Sequence, residues 1–118
     1  MREHHHPYMF KDISEEDYVF LKETQLPIIN GVRRSLKYIE GADEQEMAYF
    51  EKNKPSFAYN RKRQCVSICL KEGRIHRLIL SQEDIDLMSP VERKIFFAMR
   101  NKLEEILEGI KIRKEDWE

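Results

Sequence analysis

Two cysteines, four histidines and a surplus of carboxylates are the groups in this 118-residue chain that could do chemistry. Cys69 and His76 flank the segment Lys71-Glu72-Gly73, so a hairpin would bring them near each other. A thiol and an imidazole make a nucleophile pair only where the thiolate is stabilised and the ring is oriented. The plainer reading is a buried thiol and a half-exposed strand histidine, because both lie in the apolar run QCVSICLKEGRIHRLIL. His4, His5 and His6 offer three adjacent imidazoles to a transition metal, but nothing else in the chain supplies partners at a recognised ligand spacing. That run reads as a flexible terminus or an expression remnant. No Cys-x-x-Cys pair exists to hold a structural zinc, and the 4 glycines are too scattered for a phosphate loop. The carboxylates follow helix starts and solvated faces. They do not stand paired in the apolar setting that acid/base work requires. The expectation is a non-enzymatic chain with no metal and no cofactor.

The cysteines are expected to be free. Cys65 and Cys69 lie four apart on a strand, about 13 Å between Cα atoms at ~3.3 Å per residue. A disulfide needs less than ~7 Å, so both should pack as small hydrophobes. That fits a cytoplasmic address. The terminus MREHHHPYMFKDISEED lacks the apolar centre of a signal peptide, and no run approaches the ~20 apolar residues of a membrane span.

Hydrophobic residues make up 41% of the chain, enough for one core and too many for a disordered polymer. The 21 Lys and Arg nearly cancel the 22 Asp and Glu, so no global field draws the chain to nucleic acid or membrane. Any such binding needs a local patch.

The elements that must position these groups are legible from caps and periodicity. Met1 to Asp12 reads as a tail, with Tyr8, Met9 and Phe10 able to pack back. Ser14 followed by Glu15, Glu16 and Asp17 opens a first helix, because a hydroxyl caps free N–H groups and acids suit the dipole. Leu26-Pro27 should end it, since the residue before proline avoids the α region. Ile28, Ile29, Val32, Leu36 and Ile39 recur at helical spacing up to Gly41, with Asn30-Gly31 as a weak point or a turn before the helix. Asp43 and Glu46 make a capping box for a short acidic helix that Pro55 stops. Phe57 and Tyr59, then Cys65 to Leu70, then Arg74 or Ile75 to Leu80 give three strands of an antiparallel meander. Ser81 and Asp84 start a short turn over Ile85, Leu87 and Met88. Ser89, Pro90 and Glu92 start the longest helix, with a stripe of Ile95, Met99, Leu103, Ile106 and Ile110, widened by Val91, Phe96 and Leu107. Gly109 is the expected terminator, and residues 111–118 a tail carrying Trp117. The fold class is therefore α+β over residues 13–110: a small three-stranded meander with four to five helices, the C-terminal one long and amphipathic.

Val66, Ile68 and Leu70 point to one side of the sheet, Cys65, Ser67 and Cys69 to the other. The third strand is apolar on both sides. A sheet open to water on one side should alternate more cleanly, so the second face is covered by a helix or reserved for a partner. The basic groups Arg61, Lys62 and Arg63, with Lys71, Arg74 and Arg77, would form a phosphate patch if they converged. Arg33, Arg34 and Lys37 add to the second helix. Helices followed by a hairpin suggest a winged-helix arrangement, yet the helix before the sheet is acidic, which does not suit a groove.

From Arg74, RIHRLILSQEDIDLMSPVERKIFFAMRNKLEEI resembles the opening of a leucine-rich repeat, through Ile75, Leu78, Leu80, Ser81, Ile85, Pro90, Ile95, Phe96, Asn101, Leu103 and Ile106. The likeness covers about a quarter of the chain. Its spacing is stretched around Pro90, and no second repeat follows. It implies protein recognition. Both lines lead to one expectation: a small protein-binding or regulatory module, with a homodimer as the expected state, using Phe96, Met99, Leu103, Leu107, Ile75 and Ile79. The alternative is a small nucleic-acid-binding protein using the basic residues near the hairpin.

Overall fold

A computed structural model describes residues 9–72 and 75–116. The His4–His6 run, Gly73, Arg74 and Trp117 lie outside the described residues. The class is α+β, with five helices and a four-stranded antiparallel sheet among the described residues.

The first strand, β1, covers Met9–Lys11, inside the segment expected to be a tail. Helix α1, Glu15–Glu23, begins where Ser14 Oγ accepts from the Asp17 N–H at 3.1 Å. Its end differs from expectation. The break falls at Thr24, whose hydroxyl donates to the Phe20 carbonyl at 2.9 Å, and α2 runs Gln25–Tyr38. Pro27 sits in the first turn of α2, where its missing N–H has no partner to lose. Asn30-Gly31 is consequently helix interior. Gly31 has a packing reason: an added Cβ would lie 2.7 Å from Lys102 Cε, so the lysine stem crosses α2 there. Gly41 turns the chain with φ 68, and Ala42 N–H donates back to Leu36 at 2.9 Å. Helix α3, Glu44–Lys52, carries the expected capping box between Asp43 and Glu46.

Strands β2 (Ser56–Asn60), β3 (Cys65–Glu72) and β4 (Ile75–Ile79) form the meander. β3 is its centre. β2 pairs along one side of it; β1 and β4 share the other side, β1 opposite residues 65–67 and β4 opposite residues 68–72. Because directly paired residues share a face, the register assigns every side chain. Phe10, Phe57, Tyr59, Val66, Ile68, Leu70, Arg77 and Ile79 fall on one face. The apolar members of that face belong to, or pack against, one core cluster with Leu21, Ile28, Val32, Leu36, Phe50, Ile95, Met99 and Leu103 from the helices.

Helix α4, Gln82–Asp86, is capped by Ser81 and Asp84 as expected; Ile85 and Met88 are buried, but Leu87 is 77% exposed. Helix α5 spans Pro90–Asp116. Ser89 N–H donates to Glu92 Oε1 at 2.8 Å, and Glu92 N–H to Ser89 Oγ at 3.3 Å, completing its capping box. Gly109 does not end it. The helix continues because Lys114 reaches Asp17 of α1 at 2.9 Å and Arg113 lies over the Phe20 ring at 5.9 Å, giving the last turns a partner.

Candidate functional site

The face of the sheet turned away from the core is the candidate site. The register places ten described side chains on it: Lys11 from β1; Ser56, Ala58 and Asn60 from β2; Cys65, Ser67, Cys69 and Lys71 from β3; His76 and Leu78 from β4. None of them belongs to the core cluster. Lys11, Ala58, Asn60, Lys71, His76 and Leu78 are exposed, Leu78 at 45%. Cys65, Ser67 and Cys69 are buried, being small groups in the middle of three strands.

The face has a polarity. Lys11, Leu78 and His76 stand opposite Cys65, Cys69 and Lys71, so they follow one another along one side of β3. The other side carries the uncharged Asn60, Ala58 and Ser56. No acid occurs among the described side chains of this face. Nor does a Phe, Tyr or Trp ring, because Phe10, Phe57 and Tyr59 are committed to the core side. Tyr59 stacks on Tyr18 with centroids 5.1 Å apart and donates its hydroxyl to the Ile13 carbonyl at 2.9 Å.

Cys69 and His76 do share this face, as diagonal neighbours, since Cys69 opposes Leu78 and Lys71 opposes His76. Burial pushes the Cys69 thiol above its ordinary range, and a hydrogen bond with Ser56 opposes that shift only in part. A nucleophilic cysteine needs the opposite displacement. Cys65 and Cys69 are both free thiols. Among the described residues no group of three or more His, Cys, Asp or Glu is placed to hold a metal ion.

Most of the partner-binding residues expected on α5 and the hairpin lie inside the domain. Phe96, Met99, Leu103 and Ile79 are fully buried, and Leu107 is half-buried against the same cluster. The stripe is wide because α5 covers the sheet and α2 together. Ile75 is placed only by its backbone pairing with Glu72.

Among the described residues, the basic groups around the hairpin are spread apart. Arg61, Lys62 and Arg63 occupy the turn before β3, and Lys71 lies near its far end. With β3 eight residues long, the two ends are about 23 Å apart at ~3.3 Å per residue. Arg61 pairs with Glu15 at 2.9 Å. Arg77 faces the helices and reaches Glu92 at 3.3 Å. On α2, Arg33 is held bidentately by Glu51, whose carboxyl is thereby lowered from its usual range.

Sequence reasoning missed the role of Arg77 and the inclusion of Lys11 in the sheet. Strand periodicity alone left two registers for β4. The small residues Cys65, Ser67 and Cys69 alternating with Val66, Ile68 and Leu70 were the signal that could have identified the open face.

No helix among the described residues is long and apolar enough to cross a membrane. No family model, curated protein or solved structure matches this chain. The leucine-rich-repeat likeness therefore rests on its residues alone.

Proposed function

We propose that this chain is a non-enzymatic protein-binding module whose docking surface is the open face of the sheet. One observation carries the reading: Leu78 and Ala58 are exposed on a strand face of which no described member joins the hydrophobic cluster between sheet and helices. A folded chain gains by burying apolar groups, and an exposed leucine set among small residues on a flat sheet offers a partner complementary area with little side-chain entropy to lose. The α5 stripe no longer supports a homodimer, since its apolar area is spent inside the domain.

The test is site-specific photo-crosslinking in the native cell, with the photoreactive group at position 78 and, as a control, at Ile39, exposed beyond the C-terminus of α2. Trapping of a protein from position 78, abolished by Ala58→Arg, supports the reading. Trapping from position 39 alone moves the docking surface off the sheet. Trapping of nucleic acid from position 78 replaces the module reading with the nucleic-acid one.

A further inference from the structure

Resting on that docking surface, we infer that its occupant is an acidic, extended protein segment, recognised by the line Lys11–Leu78–His76 with Lys71 beside it. The charge of the face is one-sided: two lysines against no acid among its described side chains. Several cations elsewhere are paired with acids. Arg33 pairs with Glu51, Arg77 with Glu92, Lys94 with Glu46 at 2.8 Å and Lys114 with Asp17.

Charge decides between occupants. A second copy presenting the same face would set lysines against lysines, which disfavours self-association through it. Single-stranded nucleic acid gains much of its affinity from bases stacked on large aromatic rings, and this face has no Phe, Tyr or Trp among its described side chains. An acidic polypeptide meets both features, the cations and the apolar anchor.

The register also sets the spacing. Lys11 stands opposite Cys65, Leu78 opposite Cys69, and His76 opposite Lys71. An extended segment running along this line advances ~3.3 Å per residue, as the strand beneath it does. It would place one acid over Lys11, an apolar residue over Leu78 four positions on, and a second acid near Lys71 and His76 two positions after that. The small residues Ala58 and Ser67 leave room beside the line for the segment's backbone.

The probe is a fluorescent peptide, Glu-Ser-Thr-Ser-Leu-Thr-Glu, compared with its isostere in which both Glu are Gln. The full-length chain is titrated by anisotropy at low and at high salt. The acidic peptide should bind about tenfold tighter than the isostere, as two rim ion pairs allow. That advantage should vanish in Lys11→Gln/Lys71→Gln and at high salt, and Leu78→Arg should weaken both peptides. Equal binding of the two peptides, lost in Leu78→Arg, overturns the acidic preference but leaves the docking face standing. No binding of either peptide overturns the inference, and the crosslink at position 78 then decides the surface separately. Tighter binding of poly(U) than of the acidic peptide overturns it in favour of nucleic acid. A concentration-dependent dimer that Leu78→Arg abolishes overturns it in favour of a second copy.

Discussion

Glu92 Oε2 lies 3.3 Å from Arg77 Nη2 and 3.4 Å from the Tyr49 hydroxyl, while its Oε1 accepts from the Ser89 N–H at 2.8 Å. One carboxylate, 6% exposed, thus caps α5 and ties it to β4 and α3. The two roles are separable. Gln can serve in a capping box but carries no charge, whereas Ala removes both. Glu92→Ala should cost about 2–4 kcal/mol, combining a lost cap with a buried cation left with less compensation. Glu92→Gln should cost roughly half as much by the same principles. Urea midpoints at equal m-values measure both. Equal losses for the two variants would mean that the cap contributes nothing.

Two glycines should respond with opposite signs. Gly109 lies inside α5, and an added Cβ there meets nothing within 4 Å. Gly109→Ala should therefore stabilise by about 0.5–1 kcal/mol, the helix-propensity difference. Gly41 adopts φ 68, and Gly41→Ala should destabilise by about 1–2 kcal/mol even though the space around it is open. Thermal unfolding of the pair checks this, and a stabilised Gly41→Ala would contradict the left-handed turn.

Caps and apolar periodicity exposed most of the fold. Ser14, Asp43, Ser81 and Ser89 all start helices where their side chains predict, since capping is a local interaction between residues three apart. Helix ends were harder. Thr24, not Leu26-Pro27, breaks α1 from α2, because proline in a first turn loses nothing, and Gly109 is carried through by the long-range contact between Lys114 and Asp17. The site was the least legible part. Which face of β4 meets solvent depends on pairing Cys69 with Leu78, and β1 joins only because β3 is longer than β4 can cover. Neither fact is local, so no window of sequence contains it.

The shift at Cys69 gives a pH prediction. Burial disfavours the charged thiolate, so the folded chain holds fewer thiolates at any given pH than an unfolded one. The pH at which Cys69 alkylation reaches half its maximal rate should lie above that of the same residue in urea, measured by mass spectrometry with Cys65→Ser as background. A midpoint shifted downward would restore the nucleophile pair with His76.

The sharpest test concerns α5 itself, because a stripe used as core and a stripe used as interface fail differently. Leu103 is fully buried among residues of the central cluster, and Leu87 is exposed. If the stripe is core, Leu103→Ala leaves a cavity and should cost about 2–5 kcal/mol in the isolated chain at any protein concentration. Leu87→Ala should stay within about 0.5 kcal/mol. If the stripe were an interface, the loss at Leu103 would shrink on dilution, since the wild type would then give up the stability that association lends it. Denaturation at two protein concentrations a hundredfold apart separates the cases. A concentration-dependent midpoint would return Phe96, Met99 and Leu103 to a dimer seam; a constant one keeps them inside the domain and leaves the sheet face as the surface open to a partner.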